Sequence, residues 1–398
     1  MSVCPLYQLT GQEMDVARGK LSLIQFMNNN AIKQSSYPAF WRCLLCGACE
    51  AICANKVKTT QHIQKTRSQL PESFIQKDFP AKIMTGSGRF SKMIRYSGSL
   101  FQGLIAKKIP HTSGLYLRFP LSSLTNRHYI PKLSFPPITH HKNDSTQFDG
   151  ADDSIGYFVG CGANYMFQET AHGLQTIIKD MGKSFVIPSN QECCGLAAYA
   201  SGNIKAAIKL AQNNIQAFEQ MNVSTLVTTC ASCGAHLMNY PSLFPKEGLW
   251  HQRALSFVSK YQDAMTFIKT HQNLLPQYSN QQHDHQKCVI FHDPCHMRFG
   301  QKKPLSGFDM IASRFKTIPL QACCGNGGLF NLRYFSESTG ILDKTIERVQ
   351  SYKPDFLTTS CIGCHIQFSE GLARHHIDMP VYHPLVLWMR SFYDDINS

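Results

Sequence analysis

From residue 154 onward, short apolar runs alternate with longer stretches whose apolar residues recur at helical spacing. SIGYFVGC reads as a buried strand ending at Cys161, and NYMFQETAHGLQTIIKDMG follows with helical period and a glycine stop. KSFVIP is a second strand, followed by a Cys-Cys-Gly turn and the helix NIKAAIKLAQNNIQAFEQM. STLVTTC then runs as a strand into Cys230, and ASCGAHLMNY begins another helix. The same order returns with KCVIFHDPC, FKTIPLQACC and DFLTTSC as strands, each followed by a helical stretch. Alternation of this kind predicts right-handed crossovers and a parallel sheet, so the C-terminal region is expected to be α/β.

Length and composition narrow the setting. A chain of 398 residues can bury more than one core, and 43% hydrophobic residues is an ordinary soluble value. No apolar run approaches the ~20 residues of a spanning helix, and the N-terminus lacks the apolar stretch of a signal peptide. The protein is therefore expected in the cytoplasm, with a peripheral position at the inner-membrane surface left open.

The net charge of +13 is concentrated in residues 54–148, which hold fifteen Lys/Arg against three Asp/Glu, a net +12. This segment carries amphipathic pieces such as SFIQKDFPAKIM and SGSLFQGLIAKKI, broken by Gly and Pro, and predicts a basic helical connector over 61–150. Its tail, FPPITHHKNDSTQFDGADD, has turn chemistry and closes the segment. The connector is either a solvated linker or a docking face for an acidic partner subunit or anionic lipid. Without regular aromatic interleaving, no nucleic acid is expected.

Sixteen cysteines make up about 4% of the chain, well below the ~8–10% of disulfide scaffolds, and a reducing compartment disfavours disulfides. Only Cys288, in KCVIFH, stands outside a pattern, and it reads as strand core. Residues 1–60 carry Cys4-Pro5 and then WRCLLCGACEAIC, which is Cys43-x2-Cys46-x2-Cys49-x3-Cys53. Thiolates three residues apart on a tight loop can wrap three corners of a 4Fe–4S cube, and Gly47 permits close backbone approach. In such runs the fourth cysteine faces another cluster, so the first three need a distant fourth; Cys4 has that form. Two alternatives compete: Cys53 is itself the fourth ligand, or an upstream C-x2-C-x2-C has been lost by truncation. Zinc is disfavoured, because four-cysteine zinc sites pair two separate C-x-x-C knuckles. The block predicts a small α-helical ferredoxin-like domain with a 4Fe–4S cluster.

The α/β region is an internal repeat. Its first copy has Cys161, Cys193-Cys194-Gly195 and Cys230-x-x-Cys233; its second has Cys295, Cys323-Cys324-Gly325 and Cys361-x-x-Cys364. Corresponding positions are offset by 134, 130 and 131 residues, giving modules over 151–285 and 286–398. Ligands of parallel sheets collect beyond the carboxyl ends of the strands, so each module is expected to gather five thiols at one mouth. Adjacent cysteines strain to face one iron of an ordinary cube but can bridge irons in a more open cluster, and Gly195 and Gly325 let the backbone bend around sulfur. A C-x-x-C at a helix start lowers thiol pKa values. A thioredoxin-like dithiol would leave Cys161, Cys295 and both Cys-Cys pairs unexplained. CCGNGGLF lacks the G-x-G-x-x-G rhythm and following acid of a nucleotide site. His236, His292, His296 and His365 lie beside the cysteines and read as hydrogen-bonding or capping neighbours.

CPLYQLTGQEMDVARGKLSLI, the cluster run and the doubled C…CCG…CxxC module resemble, over nearly the whole chain, the iron–sulfur subunit of bacterial glycolate oxidase. Lactate-utilisation iron–sulfur proteins are similar too, as is the B subunit of heterodisulfide reductase for the CCG modules alone. The resemblance implies one Fe–S cluster on Cys161, Cys193, Cys194, Cys230 and Cys233, and another on Cys295, Cys323, Cys324, Cys361 and Cys364, non-cubane in heterodisulfide reductase. It implies an electron-transfer subunit of a flavin-dependent 2-hydroxy-acid (glycolate or lactate) dehydrogenase. Substrate would be oxidised on a separate FAD-linked subunit, and electrons would pass to a quinone or another acceptor. A heterodisulfide-reductase-like thiol–disulfide enzyme is the alternative. The chain departs from the pattern before Cys4, where C-x2-C-x2-C is missing, and after Cys53, where Ala54 replaces proline. With no flavin or nicotinamide fingerprint, chemistry at carbon is expected on the partner, and no catalytic residue is assigned.

Overall fold

The structure, a computed structural model, describes residues 3–28, 37–70, 106–108, 114–117, 127–140, 154–275 and 284–393. The N-terminal part forms short helices over Pro5–Thr10, Ala17–Asn28, Pro38–Trp41, Ala48–Ala51 and Thr59–Gln69. Pro5 and Pro38 open their helices, where the missing N–H would have had no partner. Thr59–Gln69 packs against Ala17–Asn28 and Pro38–Trp41, which ties the start of the connector to the N-terminal helices.

Among the connector's described residues, 61–69 lie in the helix Thr59–Gln69, while an antiparallel sheet stands further on where helices were expected. Its strands are β1 (Ala106–Lys108), β2 (Gly114–Leu117) and β3 (Ile130–Pro131), in the order β1-β2-β3. β1 is the AKK near the end of SGSLFQGLIAKKI. Pro110 follows in the sequence, and a proline blocks helical continuation and pushes the residue before it into extended backbone. SFIQKDFPAKIM lies outside the described residues.

Two parallel sheets organise the C-terminal region with one topology. β4 (Ser154–Tyr157), β5 (Ser184–Val186), β6 (Thr225–Thr228) and β7 (Tyr261–Asp263) lie in the order β5-β4-β6-β7. β8 (Asp284–His292), β9 (Phe315–Leu320), β10 (Phe356–Thr359) and β11 (Val381–Tyr382) lie in the order β9-β8-β10-β11. Each sheet thus runs second-first-third-fourth, with every pair parallel. The hydrophobic pattern shows the first three strands of each copy; the fourth, YQD or VY, is too short to carry a period. The first strand also ends earlier than SIGYFVGC suggests. Gly160, at φ +67°, turns the chain into the helix Gly160–Tyr165, and a Cβ there would press on Cys233 Sγ at 3.0 Å.

The modules share one core, in which Tyr157, Val227 and Phe267 of the first meet Phe291, Phe356 and Leu385 of the second. Each fully buried side chain of this size contributes about 1.5–3 kcal/mol. A backbone bond from Ala231 N–H to Ser360 O (2.8 Å) joins the ends of the two third strands. The N-terminal helices rest on the second module through Leu6, Leu44, Phe330 and Ile341, and Arg42 bridges buried Asp15 to Glu337. No helix among the described residues is long and apolar enough to cross a membrane.

Candidate cluster sites

In both modules the cysteine-bearing turns follow the carboxyl ends of the first three strands, around the crevice that opens where a parallel sheet changes winding direction. Cys230 caps the helix Ala231–Met238 from extended backbone (φ −110°, ψ 114°), and Cys361 does the same for Ile362–Arg374 (φ −121°, ψ 119°). Cys233 and Cys364 follow on the first turns. Gly195 N–H donates to Cys193 Sγ at 3.5 Å and Gly325 N–H to Cys323 Sγ at 3.3 Å. Gly325 has φ +81°, and a Cβ there would stand 2.3 Å from Ser338 O, so a side chain is excluded twice over.

The thiols of each module are brought together. In the first, hydrogen bonds between free thiols link Cys161 to Cys193, Cys193 to Cys194, Cys194 to Cys233, and Cys233 to Cys230. In the second, the Sγ atoms of Cys324 and Cys364 are 3.2 Å apart. Cys364 bonds Cys361, while Cys295 and Cys323 lie close enough to feel the charge of Cys324. Hydrogen bonds between thiols split their acidities. Cys193 and Cys233 lower Cys194; Cys233 and Cys361 lower Cys230; Cys364 lowers Cys324. Burial and neighbouring thiolate charge push Cys295 up to about 12. Thiolate is the form that ligates metal.

The sulfur groups also meet one another. Cys230 and Cys361 hydrogen-bond across the modules, and Ser232 Oγ lies 3.2 Å from Cys230 Sγ and 3.6 Å from Cys361 Sγ. At the N-terminal side, Cys4, Cys43 and Cys49 interact mutually, and Cys46 interacts with Cys43 and Cys49. Cys46 in turn lies close enough to Cys295 and Cys323 of the second module for their charges to interact. Cys53 instead directs its thiol at the backbone amides of Val57, Asn55 and Lys56, which lower its pKa. The structure therefore groups Cys4 with Cys43, Cys46 and Cys49. Cys288 is half-buried rather than core, its N–H donating to Asp355 Oδ2 at 2.7 Å.

The histidines act as neighbours. His292 pairs with Thr359 Oγ1 (3.0 Å) and Ala322 O (3.1 Å), and His365 packs on Phe167 with ring centroids 4.2 Å apart. Burial holds His236, His292 and His365 at about 3, so each is neutral. His296 Nδ1 is 3.8 Å from Cys295 Sγ, and its ring also bonds Cys361.

Several supporting residues escaped the sequence reading, because a lone basic residue or histidine in an amphipathic stretch looks solvated. Lys20 is buried beside Cys4 and Cys43 and donates to Met14 O at 3.0 Å. Arg67 is buried and donates to Phe40 O, Trp41 O, Cys43 O and Ala200 O, clamping the cluster loop to the first module. His383 Nε2 lies 2.7 Å from Thr229 O, one residue before Cys230.

Among the described residues, no three His, Cys, Asp or Glu side chains converge as one metal ion would require. The donors are sulfur in groups of four and five, with N–H groups aimed at them, and beside Cys295 stands Arg298, whose buried Nε has no hydrogen-bond partner among the described residues. All-sulfur donor sets of this size fit polynuclear iron–sulfur clusters better than a mononuclear zinc site.

Residues 155–238 and 289–369 each match the family described as a cysteine-rich domain (CCG), and residues 1–57 match a 4Fe-4S dicluster domain. The chain is 26% identical over 391 residues to the probable glycolate oxidase iron-sulfur subunit of Bacillus subtilis, covering 93% of this chain and 86% of that protein. It is 23% identical over 397 residues to the glycolate oxidase iron-sulfur subunit of Escherichia coli, covering 95% of this chain and 90% of the relative. Lactate utilization protein A 2 of Bacillus cereus is 26% identical over 235 residues, which is 58% of this chain and 95% of that one.

Proposed function

Because the chain carries two CCG cysteine-rich domains behind a 4Fe–4S dicluster domain, we propose that it is the iron–sulfur electron-transfer subunit of a flavin-dependent 2-hydroxy-acid dehydrogenase of the glycolate or lactate type. Cys4, Cys43, Cys46 and Cys49 would hold one 4Fe–4S cluster, and the two quintets would hold one cluster each. Iron–sulfur clusters supply one-electron carriers whose potentials respond to hydrogen bonds and burial. The observation that carries this reading is continuity: Cys46 reaches Cys295 and Cys323, and Cys361 reaches Cys230. Together these contacts set the three sulfur groups in one series, from the N-terminal loop through the second module to the first.

The protein's own part is to hold and seal. Arg67 pins the cluster loop by its carbonyls, the Gly195 and Gly325 amides bond sulfur, and the neutral histidines fill the surroundings without adding charge. Oxidation at carbon belongs to a partner flavoprotein, consistent with the relatives named for glycolate oxidase. The test is anaerobic mixing with glycolate or lactate. The iron of this chain should be reduced only when the flavoprotein is present, and reduction of the isolated chain by either acid would overturn the subunit assignment.

The Cys230–Cys361 contact at Ser232 favours a second reading, thiol–disulfide chemistry between the modules. Turnover of a small disulfide by the purified chain with an artificial donor would select it.

A further inference from the structure

One lysine among the described residues is buried. Lys20, in the first turn of the helix Ala17–Asn28, keeps only 1% of its side-chain surface exposed. Gly19 makes this burial possible. A Cβ there would stand 2.2 Å from Glu13 O, so glycine lets the helix press onto the turn Glu13–Asp15. The Lys20 ammonium donates to Met14 O at 3.0 Å, and the next carbonyl of the same turn, Asp15 O, accepts from Cys4 Sγ at 3.5 Å. The ammonium and the Cys4 sulfur therefore flank one short turn, and Cys43 also lies within electrostatic reach of Lys20. Asp15 Oδ1 stands 3.9 Å from Nζ, at ion-pair but not hydrogen-bond distance, and Arg42 holds the two Asp15 oxygens at 2.8 and 3.0 Å.

A charge taken out of water is costly unless other charges answer it. Asp15 is shared with Arg42, and the other anionic groups acting on Lys20 are Cys43 and Cys4. We propose that Lys20 is the fixed counter-charge of the N-terminal cluster and sets its reduction potential. The inference rests on the grouping of Cys4, Cys43, Cys46 and Cys49 around one 4Fe–4S cluster. It goes beyond that grouping because Lys20 is no ligand and acts through charge alone. One-electron reduction of a cluster on four thiolates adds a negative charge; the electron comes from an external reductant, no bond breaks and no proton moves. Lys20 keeps its proton throughout, so its attraction for the added charge favours the reduced form. Burial keeps water and salt from screening that attraction. Arg18, two residues earlier, is the contrast. Its side chain is 68% exposed and paired with Glu13, so its charge is screened.

The test uses the full chain, loaded anaerobically with iron and sulfide and titrated with dithionite in the presence of mediator dyes. Neither a flavoprotein nor a hydroxy acid takes part, so failure of the partner assignment would leave the result unaffected. Electron paramagnetic resonance follows the N-terminal cluster, identified as the signal that Cys4→Ser loses or converts. Lys20→Met removes the charge at similar length, and Lys20→Gln removes it while keeping a donor for Met14 O. Each should lower the ratio of reduced to oxidised cluster at a fixed ambient potential about tenfold. For one electron that is a midpoint about 59 mV more negative. Lys20→Arg, which keeps the charge, and Arg18→Gln, which removes a screened one, should leave the midpoint near that of the unsubstituted chain. An unchanged midpoint in both neutral variants would overturn the proposal, as would an equal fall in Lys20→Arg or Arg18→Gln. Loss of the N-terminal signal in both neutral variants would overturn it too, by making Lys20 a requirement for assembly. Absence of that signal from the unsubstituted chain would instead remove the cluster grouping on which the proposal stands, and the proposal with it.

Discussion

The two CCG modules repeat the same strand order and the same five cysteines, yet their sulfur atoms stand in different company. The groups acting most strongly on the first quintet are its own cysteines, with Cys361, Ser232 and backbone amides alongside. Around the second quintet stand Arg298, His296 and Cys46 of the N-terminal loop. One pair of positions shows the divergence. Asn164, three residues after Cys161, is used structurally, holding Thr139 by its Oδ1 and Nδ2; Arg298, three residues after Cys295, faces the space between Cys46 and the second quintet. Duplicating the fold duplicated the sulfur geometry, while the neighbours assigned the roles. Among the described residues, the sulfur atoms of the first module meet another group only at Cys361, whereas those of the second meet both the first module and the N-terminal loop.

The strongest break in this comparison is at the second module, the junction of the three groups. Cys361→Ser should cost the second module its cluster and disconnect the N-terminal group from the first module. Cys230→Ser should remove only the first module's cluster and leave the junction working. Iron content and electron paramagnetic resonance of the two variants would separate these outcomes. Equal loss of both clusters in both variants would mean that the quintets are not independent.

Asp15 tests the contact between the N-terminal helices and the second module. Burial alone would raise its carboxyl, but hydrogen bonds from Arg42 and Thr10 and the charge of Lys20 bring it below its ordinary value. A depressed folded value means that the stabilisation is present above about pH 4 and is lost as pH falls through the folded value. Asp15→Asn would leave buried Lys20 without its carboxylate and Arg42 with Glu337 alone, and should cost about 3–5 kcal/mol locally. Denaturant titration followed at Trp41 should show this loss at neutral pH, together with a weaker acid dependence than in the unsubstituted chain. An unchanged midpoint would show that the ion network does not hold the N-terminal helices in place.

The smallest expected effect is the most specific. Ser232→Ala removes the hydroxyl shared by Cys230 and Cys361, a loss of about 1 kcal/mol, with all ten module cysteines intact. Iron content should stay constant while the magnetic interaction between the two modules changes. A spectrum identical to that of the unsubstituted chain would remove Ser232 from the path.

Much of this was legible in the residues. Strict spacing exposed the repeat, and short apolar runs before each cysteine exposed the first three strands of each sheet, because period and offset are properties of one sequence. The fourth strands were not visible, since YQD is mostly polar and VY is only two residues. Nor was the relay between modules: that Ser232 serves both quintets depends on how two similar units pack face to face, which no local pattern encodes. Arg67 shows the same limit. It counts toward the net +12 of residues 54–148, yet it is buried against the carbonyls of the cluster loop.

The most direct test is anaerobic counting of iron and acid-labile sulfide in the unsubstituted chain, Cys4→Ser and Cys53→Ser. Cys4→Ser should lose or convert the N-terminal cluster and spare the other two, while Cys53→Ser should keep the full inventory. Zinc without iron or sulfide, or loss on Cys53→Ser with none on Cys4→Ser, would contradict the sulfur relay as assigned.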